Sequence, residues 1–180
     1  MKQAFSWVVK NLPTMEEWTI DINDKRPPVV VFTDGACEPE CVSVGGVVFV
    51  DGKRQVWGGQ VEEKVWTEWK GGVSNQVIGQ AEIFPILLTL RNWKDQLAGR
   101  KAIFFIDNDS ARHALIRKYS PSPGSSELIR QVWQEIARLK LRCWFARVPT
   151  VSNPADEPSR LQVAHCALRW KADIIAVECT

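Results

Sequence analysis

No apolar run in this sequence is long enough to cross a membrane; the longest, such as Val29 to Phe32 and Val42 to Val50, have the length of strands. The opening residues, Met1-Lys2-Gln3-Ala4-Phe5-Ser6-Trp7, lack the apolar stretch and cleavage site of a secretory signal, so an intracellular protein without membrane contact is expected. Cysteine is scarce and scattered. The five thiols, Cys37, Cys41, Cys143, Cys166 and Cys179, are odd in number and lack framework spacing, which argues against a disulfide scaffold and suits a reducing compartment. Cys37 and Cys41 are not followed by the second Cys or His pair of a zinc finger, so incidental thiols are the preferred reading. No Gly-x-Gly-x-x-Gly or Gly-x-x-x-x-Gly-Lys segment is present to cradle a nucleotide phosphate. Repeats and low-complexity stretches are also missing. Charge of one sign is not in large excess, since the net value is +2. Basic residues nevertheless crowd the second half, at Arg112, Arg117, Lys118, Arg138, Lys140, Arg142 and Arg147. That clustering permits phosphate contacts, and describes a solvated helix face equally well.

The 180 residues suffice for one domain with a sizeable core. Pro27-Pro28 closes a lead segment over 1–27; a main domain is expected over 28–161, and the mixed tail over 162–180 is set apart as an extension. Phe5, Val8, Val9 and Leu12 recur at helical spacing in the lead segment. Val29 to Thr33 reads as a buried strand ending at Asp34-Gly35. Val42 to Val50 reads as a second strand, with Gly45-Gly46 allowing a bulge or a close backbone approach. Asp51-Gly52 is a hairpin turn signal, returning Lys53 to Val61 as a third strand. Val77 to Leu97 has helical periodicity, interrupted by Pro85, which predicts a kink or a loose first turn. Ala102 to Ile106 is a fourth strand closed by Asp107. A helix follows over Ala111 to Lys118, another over Glu127 to Leu139 capped by Ser126, and a fifth strand over Arg142 to Val148. Pro154 is placed to open a short helix carrying Asp156. This order predicts an α/β fold: a mixed five-stranded sheet, an antiparallel meander and then parallel strands, flanked by helices.

Two of these strands end in an aspartate, at Asp34 and Asp107, where the sheet should meet solvent. Glu82 lies among the apolar neighbours Ile78, Ala81 and Ile86, a position where a carboxylate is costly to bury unless paired or metal-bound. Asp156 follows a proline-containing turn. Each residue alone reads as a turn or helix cap. Together they form a set that repels itself unless divalent cations neutralise it, and oxygen-only ligands suit Mg²⁺ or Mn²⁺. Two such ions about 3.5–4 Å apart can activate a water and stabilise a leaving oxygen in phosphodiester cleavage.

The order and context of the four resemble the ribonuclease H family. Val31-Phe32-Thr33-Asp34-Gly35-Ala36, with Gly45-Gly46-Val47-Val48 on the next strand, looks like the family's opening; Gly79-Gln80-Ala81-Glu82 is similar to its helical Glu motif, and Phe104-Phe105-Ile106-Asp107-Asn108 to its third motif. Ser152-Asn153-Pro154-Ala155-Asp156-Glu157-Pro158-Ser159-Arg160 is similar to the final motif of ribonuclease H domains linked to retroelement reverse transcriptases. The resemblance spans roughly residues 29–161 and implies a metal-dependent endonuclease cutting the RNA strand of an RNA–DNA hybrid with two Mg²⁺ or Mn²⁺ ions. Asp34 would bridge both ions, Glu82 and Asp107 would complete one site, and Asp156 the other. Gly35, Ala36, Asn75, Gln76, Gln80, Asn108, Ser159 and Arg160 are the implied substrate contacts. The 2′-hydroxyl would separate RNA from DNA. A reverse transcriptase domain in the same or a partner chain is the implied partner, and a monomer is expected for the isolated domain.

The sequence departs from many family members in having no His shortly before Asp156; the only histidines are His113 and His165. Asp109 is a second acidic candidate beside Asp107, which is preferred because it directly closes the apolar strand. Trp66, Trp69, Trp93, Trp133 and Trp144 read as packing aromatics before they read as base-stacking platforms. Three other classes of function compete. An inactive nucleic-acid-binding or scaffold domain of a reverse transcriptase polyprotein is disfavoured because all four carboxylates are present. A proofreading exonuclease would want a carboxylate at Ala36, and an integrase would want its Glu after the second Asp. A binding protein with no nucleic-acid role is the remaining class.

Overall fold

The computed structural model of the chain describes residue 19 and residues 22–70 and 77–180. The helical spacing at Phe5, Val8, Val9 and Leu12 lies outside these residues. The elements run β1 (Val29–Glu38), β2 (Cys41–Val50), β3 (Lys53–Gln60), α1 (Glu63–Glu68), α2 (Ile78–Asn92), α3 (Lys94–Leu97), β4 (Lys101–Ile106), α4 (Asp109–Arg117), α5 (Pro123–Arg138), β5 (Arg142–Arg147), a 3-10 turn (Thr150–Ser152), α6 (Asp156–Ser159), α7 (Val163–Trp170) and β6 (Asp173–Ile174). No helix among the described residues is long and apolar enough to cross a membrane.

The strands form one mixed sheet in the order β5-β4-β1-β2-β3-β6. β1, β2 and β3 are the expected antiparallel meander, and β4 and β5 add in parallel. Asp51 and Gly52 turn the second hairpin with φ of 50° and 77°, the doubly positive pair of a tight primed turn. The sheet has six strands where five were expected, because Gln55 and Val56 of β3 pair with Asp173 and Ile174. Two residues carry too little periodicity to be read as a strand.

β1 also runs further than its apolar stretch. The ladder to β2 continues through Asp34↔Gly45 to Glu38↔Cys41, so Asp34-Gly35 lies inside a strand and is no turn. The first turn of α5 was likewise missed: the helix begins at Pro123, whose fixed φ suits the first helical position, with Ser122 as its cap residue. Ser126 instead donates to the Ser120 carbonyl at 2.6 Å.

The larger core lies between the sheet and the α2 and α5 helices, with Val29, Val31, Phe104, Leu87 and Ile129 buried in it. On the opposite face Val47 and Val56 meet Cys166 and Ala167 of α7, with Phe32, Phe49 and Trp170 packed around them. Residues 163–172 therefore cover this side of the sheet, whereas Ile175, Val177 and Cys179 pack with the larger core. The tryptophans mostly pack: Trp66 and Trp93 are buried, and Trp69 and Trp133 lie against the core. Trp144, on the edge strand, is 71% exposed.

Three glycines set the spacing of these layers. Pro85 sits within α2 and has no N–H to offer the Ala81 carbonyl. Gly35 packs onto that carbonyl so closely that a Cβ there would fall 2.3 Å from its oxygen. On the other face, Gly45 and Gly58 receive the backbone of Pro158 and Ser159. Gly45-Gly46 is thus a site of close approach. Gly45→Ala would place a Cβ 2.4 Å from the Ser159 nitrogen, and is expected to destabilise by about 1–3 kcal/mol. Gly79→Ala, whose Cβ would meet Ser125 at an ordinary 3.6 Å, is expected to stabilise α2 by up to about 1 kcal/mol. Urea denaturation midpoints moving together for the two variants would contradict this account.

Candidate metal centre

Phe32 of β1 and Phe105 of β4 are partners in the parallel ladder and stack with ring centroids 4.7 Å apart. Two residues further along each strand lie Asp34 and Asp107, so the period of the strand puts both carboxylates on one side at neighbouring positions. Glu82 comes from α2, one residue after the Ala81 carbonyl that rests on Gly35. The contact that fixes helix to strand therefore also fixes Glu82 beside Asp34. One carboxylate oxygen from each of Asp34, Glu82 and Asp107 lies within 4.8 Å of the other two.

Asp34 and Glu82 are buried, and none of the three is ion-paired to Lys, Arg or His among the described residues. Burial pushes the Asp34 carboxyl up to about 6; the Ser159 hydroxyl opposes this, and Asp107 and Asp156 add repulsion. Burial and the neighbouring Asp34 and Asp107 push Glu82 up to about 9, against a hydrogen bond from Asn108. Glu82 Oε2 is buried with no hydrogen-bond partner. An all-carboxylate donor set with a buried, uncompensated acceptor fits a hard divalent cation such as Mg²⁺ or Mn²⁺.

Asp156 lies outside the group of three. Its segment is fastened to the sheet by Asn153, which donates from Nδ2 to the Thr33 carbonyl at 3.2 Å and accepts from the Ala155 N–H at 3.1 Å. Ser43 donates to the Ser159 carbonyl at 2.6 Å. Ser159 donates to Asp34 Oδ2 at 2.5 Å and lies 2.9 Å from the Asp156 carbonyl. The final motif thus reaches Asp34 directly. Asp109 is also outside the group, being held by Arg112 at 2.9 Å and Arg147 at 3.3 Å.

The expected substrate contacts separate on burial. Ser159 is fully buried and Gly35 is covered by Ala81, so these two shape the site from beneath, whereas Gln80 is buried with Nε2 3.3 Å from Ser122 Oγ, turned to the start of α5. Ala36 and Asn108 are half-buried and Arg160 is exposed. Asn108 also caps α4 by accepting from the Ala111 N–H at 3.0 Å. Asn75 and Gln76 lie outside the described residues. Several members of the basic cluster have partners: Arg112 and Arg147 hold Asp109, Arg138 holds Glu135, Arg142 holds Asp24, and Lys118 lies over the Trp133 ring. Sequence reasoning missed Ser43, Asn153 and Gly58. Asn153 stood within the quoted motif, but Ser43 and Gly58 carried no signal beyond their strands.

No protein-family model matches the sequence, and no curated protein sequence does. Solved structures do match the fold. Ribonuclease H1 from the halophilic archaeon Halobacterium salinarum superposes with a TM-score of 0.58 at 17% identity, covering 77% of this chain and 99% of that one. A ribonuclease H1 isolated from compost by a metagenomic approach gives 0.62 at 15% identity, over 77% of this chain and 96% of its own. That enzyme's structure in complex with an RNA/DNA hybrid gives 0.53 at 15% identity, over 76% and 97%. At such identities the likeness is one of fold, and the fold is ribonuclease H-like.

Both raised carboxyls bear on stability. Their values lie above the ordinary 3.8 and 4.5, so the folded chain holds these protons more tightly than the unfolded chain. That stability is present below about pH 4 and is lost as pH rises through about 6 and then about 9. In EDTA the melting temperature should fall over this window, and Mg²⁺ should reverse the fall. Asp34→Asn should flatten its lower part; a metal-free Tm that does not change with pH would refute the raised carboxyls. Ser159→Ala should lower stability by about 1.5–3 kcal/mol, the scale of a hydrogen bond to a charged group, as measured by urea unfolding.

Proposed function

We propose that this chain is a divalent-metal-dependent endonuclease of the ribonuclease H type that hydrolyses the RNA strand of RNA–DNA hybrids. The observation that carries the reading is the group of Asp34, Glu82 and Asp107 within 4.8 Å of one another, with Glu82 Oε2 buried and unpartnered. It is supported by the ribonuclease H-like fold and by a neighbour whose structure contains an RNA/DNA hybrid.

Asp34, Glu82 and Asp107 would hold one Mg²⁺ or Mn²⁺ ion, and Asp34 with Asp156 a second. The chemistry that such ions supply is activation of a water nucleophile and neutralisation of the leaving oxygen in phosphodiester cleavage. The chain's own groups prepare the site for it. Ser159, pinned through its carbonyl by Ser43, fixes the orientation of the Asp34 carboxylate. Asn108 lies close enough to Glu82 to oppose the rise of its carboxyl and, with Ala36, is half-buried, where a 2′-hydroxyl would be read. Arg160 offers a guanidinium for a backbone phosphate. The wider setting belongs to the same proposal: the likeness of residues 152–160 to the final motif of retroelement enzymes supports a reverse transcriptase domain, in this chain or a partner, as the source of the hybrid.

A labelled RNA–DNA hybrid incubated with the protein in Mg²⁺ or Mn²⁺ tests this. RNA-strand cleavage is expected, abolished by EDTA and reduced by about 10³-fold or more in Asp34→Asn and Asp107→Asn, the scale of losing several kcal/mol of charge stabilisation. A folded wild-type protein that cuts no hybrid in either metal would sink the reading.

A further inference from the structure

The four acidic side chains are not electrostatically equivalent. Asp34, Glu82 and Asp107 have no cationic partner among the described residues, whereas Asp156 is already paired. Arg160, one helical turn further on, donates from Nε to Asp156 Oδ1 at 3.0 Å. Both side chains are open to solvent, at 60% for Arg160 and 37% for Asp156, so neither is locked by packing. An ion pair this exposed is weak by itself and exchangeable. The guanidinium also lies in the field of Asp34 and Glu38, which add to Asp156 in holding it more firmly protonated. Asp156 in turn is near enough to Asp34 to raise the Asp34 carboxyl. Among the described residues, Arg160 is thus the cationic side chain paired to one of these four acidic groups, and it stands beside the member that would complete the second cation site.

A cation approaching Asp156 meets the like charge of this guanidinium, which already engages Oδ1. A cation approaching Asp34, Glu82 and Asp107 meets three acidic side chains with no cationic side chain paired to them among the described residues. Resting on the metal-dependent reading above, we propose that Arg160 is an internal counter-cation for Asp156, so that the nucleic-acid-free protein holds one divalent ion tightly at Asp34, Glu82 and Asp107 and a second only weakly. The role needs the charge and not the fork of the guanidinium, because a single Nε contact reaches Asp156.

Electron paramagnetic resonance of Mn²⁺ titrated into the whole protein, without nucleic acid, reads free and bound ion without requiring activity. Wild type is expected to bind one ion in a tight phase. Arg160→Gln should tighten the second ion by about tenfold, which corresponds to about 1.4 kcal/mol. Arg160→Lys should keep the wild-type pattern, and Asp156→Asn combined with Arg160→Gln should lose the gain. If wild type and Arg160→Gln both bind one tight ion and match at the second, the inference is overturned while the metal centre stands. The inference is equally overturned if Arg160→Lys behaves as Arg160→Gln, since charge would not then be the cause. If neither protein binds Mn²⁺, the inference and the metal-dependent reading fall together.

Discussion

Holding Asp34, Glu82 and Asp107 within 4.8 Å, with two of them buried, is the constraint on which the rest of this structure depends. Like charges in a poorly hydrated site push apart, and something rigid must oppose them. The opposition comes from backbone contacts more than from side-chain attraction. Gly35 lies against the Ala81 carbonyl, which Pro85 leaves without its helical donor, and this contact sets the distance between β1 and α2. Gly45 and Gly58 do the same for the segment that carries Asp156. Close backbone packing of this kind cannot relax outward without opening the core on either side of the sheet.

The second source of rigidity is a chain of buried hydrogen bonds, from Ser43 to the Ser159 carbonyl and from the Ser159 hydroxyl to Asp34. Asn153 adds a tie to the Thr33 carbonyl, one residue before Asp34. The last motif in the sequence is therefore a brace on the first strand as well as the bearer of an acidic residue. Arg160 continues the same segment outward and, among the described residues, is the cationic side chain paired to one of the four acidic groups.

Much of this architecture was legible in the sequence because it rests on local rules. The apolar, β-branched stretches gave the meander, the Asp-Gly at 51–52 gave its turn, and the aspartate closing β4 is where strand periodicity puts it. The four acidic candidates were named from their order and context, and three of them gather in space. What stayed hidden depends on partners far away in the chain. Asp34-Gly35 looks like a turn until β2 is known to continue opposite it. Ser159 looks like a polar contact for substrate until the burial of α6 against Gly45 is known. The β6 pairing is two residues long and leaves almost no pattern. Gln80 looks like a surface polar group until its burial beside Ser122, 42 residues later, is known.

The two edges of the sheet are finished by different means. On one side β6 offers only two residues of ladder, too short a template for another strand. On the other side β5 presents a full-length edge with an exposed Trp144, but arginines stand at both of its ends, Arg142 and Arg147. A neighbouring chain adding a strand there would have to desolvate those charges or pull Arg142 from Asp24, which it holds at 2.7 Å. The domain thus carries its own barrier to edge-to-edge polymerisation, and a sheet that must stay open at its acid-bearing end is kept from growing sideways.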